Sequence, residues 1–309
     1  MAWTSPQCAL LPRHIHTALY SSMYQRSITR LSRSAIVIAI DSSISMQEWT
    51  LFYNTRMRKM EAAALIANFT IDELTLRSTR AGNTRDYYDI CVLQYSGDGV
   101  DSIIASEDGS MQHINQLYEI MPQPVCYNIT HSEEDGTQSS IPISLHEWVK
   151  PKAYGTAPMY ETFSHIKSLL TKWCDDHFNS DSFPPIVIHI SAGCCSDADE
   201  AELQDIVNDI QIIGTNDGTT LLVNIYLANE DDGYDSTIFP PVCDLFSDDN
   251  DCQMLYNISS VLPAELEHSV AEIVGRNNRR GYKCFARNAS ICEILTLADI
   301  GTESVNNRI

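Results

Sequence analysis

The sequence predicts an α/β fold, a doubly wound and mainly parallel sheet with helices on both faces. Three observations carry this. Short apolar runs at 35–40, 89–95, 186–190 and 221–227 lack the polar alternation of a half-exposed strand, as strands buried on both faces do. Between them lie stretches with apolar residues every three or four positions, the spacing of a helix resting on a core. Strand and helix signals alternate along the chain, and that order builds βαβ units.

Residues 1–33 stand apart, with Arg13, Arg26, Arg30 and Arg33 and no acid. The composition superficially matches a transit peptide, and Met23 offers an alternative start. The preferred reading is an N-terminal extension, poorly ordered or loosely docked. The domain then occupies 34–309, with insertions near 106–150 and 228–262.

The first strand is the apolar run 35–40. A long helix follows, its apolar face formed by Met57, Met60, Ala64, Ala67, Ile71 and Leu74. The strand at 89–95 turns at Gly97-Asp98-Gly99 into an edge strand near Ile103. Residues 106–150, with Pro122, Pro124, Pro142 and the acidic Glu133-Glu134-Asp135, read as an elaborated loop. Pro158 suits the first turn of a helix carrying Met159, Phe163, Ile166, Leu170 and Trp173. The strand at 186–190 precedes a helix faced by Leu203, Ile206, Ile210 and Ile213, and the strand at 221–227 follows. Residues 228–251 hold acids but no Lys or Arg, which reads as a solvated loop. Helices at 265–277 and 288–299, with a short strand at 282–285 between them, complete the pattern.

Composition narrows the function. The net charge is −21, from 41 acids and 20 bases, which argues against nucleic acid or an anionic membrane surface as partner. No apolar run is long enough for a transmembrane helix. The ten cysteines include no Cys-x-x-Cys pair, so a zinc ribbon or thioredoxin-like site is not indicated. They read as reduced thiols of a cytoplasmic protein.

The first strand ends in Asp41, Ser43 and Ser45. In an extended loop, residues two apart point the same way, which gathers one carboxylate and two hydroxyls where open α/β sheets bind ligands. Oxygen donors alone suit a hard divalent cation such as Mg²⁺. The alternative is a turn that caps the next helix.

Asp-x-Ser-x-Ser after an apolar strand resembles the metal-ion-dependent adhesion site (MIDAS) of von Willebrand factor A (vWA) domains. The likeness covers roughly 34–300, and the tail around Leu297-Ala298-Asp299-Ile300-Gly301-Thr302 is similar to large stand-alone bacterial members. It implies a vWA-type, Rossmann-like doubly wound fold and a site for Mg²⁺ or Mn²⁺. In that family Ser43 and Ser45 would be direct ligands and Asp41 would orient bound waters. A second loop supplies a Thr, matched here by Thr156 of Gly155-Thr156, whose other reading is a helix N-cap. The family's third loop carries an Asp where this chain has Ala192 in Ser191-Ala192-Gly193, which implies weaker cation binding. Asp197 or Asp199 offers a replacement carboxylate; the other reading is that both start the next helix.

The resemblance implies recognition rather than turnover. A partner's acidic residue would complete the cation's coordination, in a protein–protein recognition or scaffold subunit of a bacterial multi-protein system. Cytoplasmic members of the family work with AAA+ ATPases or with kinase and phosphatase partners. A degenerate vWA domain that binds its partner without metal is one alternative. A thiol-dependent enzyme at Cys194 and Cys195 is another, with His189 read as a core histidine. Phosphate-loop, nucleophile-elbow and His-Glu-x-x-His motifs are absent from the sequence. The acids Asp244, Asp248, Asp249 and Asp251 lack the spacing of a Ca²⁺ loop.

Overall fold

The computed structural model describes residues 23–52, 55–80, 82–97, 99–132, 138–177, 181–232, 236–242, 246, 249–267, 270 and 281–289. Most of the expected helices at 288–299 and 265–277, the tail, Asp244, Asp248 and residues 1–22 lie outside them.

The central strand β1 (Ser34–Asp41) is buried along its whole length. A one-turn 3-10 helix (Ile44–Gln47) and the hairpin β2 (Trp49–Phe52) and β3 (Thr55–Arg58) lead into α1 (Lys59–Ser78). Met57, expected on the helix, thus lies in a strand. Its cross-strand partner is Thr50, and Arg58 serves as the helix N-cap. A small hairpin of β4 (Thr79–Arg80) and β5 (Asn83–Thr84) precedes β6 (Tyr88–Ser96), which turns into β7 (Gly99–Ile104).

The segment 106–150 is more regular than a loop. It contains β8 (Gln112–His113), α2 (Ile114–Glu119) and a hairpin of two nine-residue strands, β9 (Pro124–Ser132) and β10 (Gln138–His146). Prolines in strands are tolerated here because a two-stranded ribbon is all edge. The chain then forms α3 (Met159–Asp176), β11 (Ile186–Ser191) and α4 (Glu200–Ile212). The hairpin β12 (Gly214–Thr215) and β13 (Gly218–Thr219) leads to β14 (Leu221–Tyr226). The region 228–262 holds β15 (Thr237–Ile238) and α5 (Asn250–Ile258), and β16 (Phe285–Arg287) follows. Helix α5 replaces the end of the expected acidic loop. Its Cys252, Leu255, Tyr256 and Ile258 are buried, and Asp249 caps it through Cys252 N.

These strands make a mixed, mostly parallel sheet in the order β15-β16-β14-β11-β1-β6-β7, with β8 also on β6. Strand β1 pairs in parallel with β6 on one side and β11 on the other. The chain crosses first to β6 and later to β11, so the strand order switches beside the carboxyl end of β1. The two faces of β1 differ in size. Ile36, Ile38 and Ile40 join the core under α1, while Ala35, Val37 and Ala39 join the core under α3, α4 and α5. This is the doubly wound α/β architecture.

Helix α1 is buried on nearly all sides because the insertion covers its outer face. Two polar residues of α1 fasten it. Asn68 donates to Val149 O at 3.0 Å and accepts from Val149 N at 2.8 Å. The Asp72 carboxylate accepts from His146 N and Trp148 Nε1. Residues 23–33 are also tied down, at least in part. Backbone N–H groups of Gln25 and Arg26 donate to the Asp217 carboxylate, Tyr24 packs edge-on against Phe183, and Ile28 is buried. We predict that Asn68→Ala lowers stability by about 1–3 kcal/mol, since it strands a buried N–H and C=O. Urea denaturation checks this, and faster amide exchange in β10 would show that the insertion loosens.

Candidate functional site

The site is built where three loops meet at the carboxyl end of β1 and β11. Asp41 is 1% exposed. Its Oδ1 accepts from Ser43 N at 2.8 Å, and its Oδ2 accepts from Ser191 Oγ at 3.0 Å and Ala192 N at 3.4 Å. One carboxylate therefore shapes its own loop and ties it to the loop after β11. Burial raises the Asp41 pKa, and the donors from Ser43, Ser191 and Ala192 offset part of that rise.

Ser43 is buried and Ser45 half-buried, and their hydroxyl oxygens lie 2.8 Å apart. Adjacent ligands of an octahedral Mg²⁺ at about 2.1 Å lie roughly 3 Å apart, so this pair is spaced as neighbouring ligands would be. Among the described residues the buried Ser42 hydroxyl has no hydrogen-bond partner. The donor set of one buried carboxylate and paired hydroxyls thus fits a hard divalent cation. Among the described residues no three His, Cys, Asp or Glu side chains come together as a ligand group, so the carboxylate share is small.

Thr156 lies exposed on the second loop. That loop is joined to the first by Tyr154 N donating to Ser42 O and Ile44 N donating to Gly155 O. Gly155 has φ +67°, and a Cβ there would lie 2.8 Å from the Gly97 Cα, so only glycine permits this approach. Helix α3 is capped at Pro158, so Thr156 is not its N-cap.

The third loop separates the two readings of its acids. Asp197 does not turn toward Asp41; its carboxylate accepts from Tyr160 N and Glu161 N at the start of α3. Asp199 is the N-cap of α4, accepting from Glu202 N at 2.9 Å. Both carboxylates sit at helix N-termini, where the dipole favours them. The sequence reading missed Lys59 and Glu48, and it placed Asp251 only in a solvated acidic loop. Lys59 is 1% exposed and its Nζ pairs with Glu48 at 3.0 Å. Asp251, at the first turn of α5, packs against Gly193. A signal for α5 was present in the apolar spacing from Cys252 to Ile258, behind Asp249.

His189 is a fully buried core residue. Asn224 uses its amide N–H groups on Leu255 O and Ser259 Oγ, so its Oδ1 faces His189 Nδ1 at 2.7 Å. Nδ1 therefore carries the proton, and Nε2 accepts from the Tyr95 hydroxyl at 2.7 Å. Burial lowers the His189 pKa to about 4. Burial also raises the pKa of both Cys194 and Cys195, with Asp251, Asp41 and Glu48 adding to the rise at Cys194. Such surroundings favour the neutral thiol over a nucleophilic thiolate.

No protein-family model matches the sequence, and no curated protein matches it either. Among the solved structures that match, two illustrate how remote the likeness is. A von Willebrand factor type A structure from Catenulispora acidiphila is 16% identical, with a TM-score of 0.38 over 63% of this chain and 33% of that one. An uncharacterized membrane-spanning protein from Vibrio fischeri is 13% identical, with a TM-score of 0.25 over 80% of this chain and 100% of that one. The chain spans about a third of the first structure's length. Among the described residues no helix is long and apolar enough to cross a membrane.

The raised Asp41 pKa gives a pH prediction. The native carboxyl holds its proton more tightly than the unfolded chain does, so folding takes up protons in the window between the two values. From the ordinary carboxylate range up through the raised native value, Asp41 removes stability as pH rises. In metal-free buffer, the stability of Asp41→Asn relative to the unsubstituted protein should therefore increase with pH across that window. Urea denaturation at a series of pH values reads this, and a flat difference would contradict it.

Proposed function

We propose that this protein is a vWA-type recognition or scaffold component, not an enzyme, that binds a protein partner through a divalent cation at the carboxyl end of its sheet. The observation that carries the reading is the Ser43–Ser45 hydroxyl pair, 2.8 Å apart beside the buried Asp41 carboxylate, at the switch in strand order. Mg²⁺ or Mn²⁺ would supply a Lewis-acidic open position for a partner's Asp or Glu. Ser43 and Ser45 would hold it directly, Asp41 would orient its waters and supply charge, and Thr156 would approach from the second loop. The net charge of −21 favours cations near this surface and disfavours nucleic acid. The family resemblance suggests a cytoplasmic bacterial setting with an AAA+ ATPase or a kinase and phosphatase pair as partner.

A specific observation also favours a second reading, partner binding without metal. Ala192 brings no carboxylate, and Asp197 and Asp199 are committed to helix caps. Calorimetric titration of Mg²⁺ and Mn²⁺ into metal-stripped protein separates the two. The cation reading expects saturable binding that Asp41→Ala abolishes. No binding to either protein would leave the metal-free scaffold in its place. Cys194→Ser combined with Cys195→Ser should leave cation binding unchanged.

A further inference from the structure

We propose that Asp251 supplies the second carboxylate of the cation site, reaching it from α5 in place of the third-loop carboxylate that Ala192 does not provide. This rests on the cation reading above. The third loop and α5 are in unusually close contact. A Cβ on Gly193 would lie 2.5 Å from Asp251 Cβ and 3.3 Å from its carbonyl carbon. Gly193 also has φ +92°, a conformation that disfavours any side chain there. Glycine at this position thus brings Asp251 against the same loop whose Ala192 N–H and Ser191 hydroxyl bind Asp41.

The neighbouring acid Asp249 is already occupied, since its carboxylate accepts from Cys252 N and from the Tyr226 hydroxyl. Asp251, by contrast, accepts no hydrogen bond among the described residues, and it is open to solvent on one side. Burial of its inner side and the charge of Asp249 raise its pKa, Lys59 lowers it, and Glu48 raises it. Lys59, whose charge lowers the Asp251 pKa, is itself held by Glu48 at 3.0 Å. A carboxylate with no hydrogen-bond donor among the described residues, packed on the loop that carries Ala192, is an oxygen ligand of the kind a hard divalent cation takes.

The test is calorimetric titration of Mn²⁺ into the unsubstituted protein, Asp251→Asn, Asp251→Glu and Asp41→Asn, each first stripped of metal. Thermal melts without metal check that every variant is folded. Asp251→Asn should weaken Mn²⁺ binding roughly tenfold or more, Asp251→Glu should recover part of the loss, and Asp41→Asn should abolish binding. Full affinity in Asp251→Asn beside lost affinity in Asp41→Asn would overturn the role of Asp251 and leave the cation reading standing. Absence of Mn²⁺ binding to the unsubstituted protein would overturn both.

Discussion

A carboxylate buried at the end of the central strand must be satisfied, because an ionised acid taken out of water is costly unless donors or cations surround it. Asp41 meets this with Ser43 N, the Ser191 hydroxyl and Ala192 N. These bonds do more than solvate it. They bend its own loop so that Ser43 and Ser45 meet, and they fix the loop after β11 against the loop after β1. The rest of the site geometry follows from that tie. Hydrogen bonds to a charged group contribute about 1.5–3 kcal/mol each, so the junction is held firmly despite burial.

Below it, the sheet carries a second polar structure. Tyr95 on β6, His189 on β11 and Asn224 on β14 form a hydrogen-bonded row that passes over β1, and Asn224 reaches on to α5 through Leu255 O and Ser259. Each member is satisfied, so the row specifies the packing of these elements without leaving a buried charge. A neutral imidazole is what this arrangement requires, in agreement with the direction of its pKa. The row therefore supports α5 from below, while the Gly193 contact positions its amino end above. Helix α5 is thereby locked relative to the third loop at both ends.

The opposite face is organised by α1. A helix usually leaves one side to solvent, but here the hairpin β9–β10 covers the outside, and Asn68 and Asp72 provide its anchor points. This explains why polar residues occur among the buried positions of α1. It also explains why the helix lacks a clean polar face, since both sides are in contact with protein.

The sequence by itself determined the sheet and most of its helices. Apolar runs such as 186–190 have few ways to be buried other than as central strands, and the spacing in α3 and α4 repeats with the helical period. It also brought Asp41, Ser43 and Ser45 to one loop, because residues two apart in an extended segment share a side. The insertion escaped that reading because its strands are polar and interrupted by Pro142, and their hydrophobic partner is α1, far away in the chain. Helix α5 was hidden by the acids around it, although Cys252, Leu255, Tyr256 and Ile258 already had helical spacing. Only the tertiary structure decided that Asp197 and Asp199 cap helices, that Ser191 bonds Asp41 across 150 positions, and that Asp251 packs against the third loop at Gly193. Local pattern sets which elements form, whereas the fate of a single carboxylate depends on which distant N–H, hydroxyl or ammonium the packed sheet brings within reach.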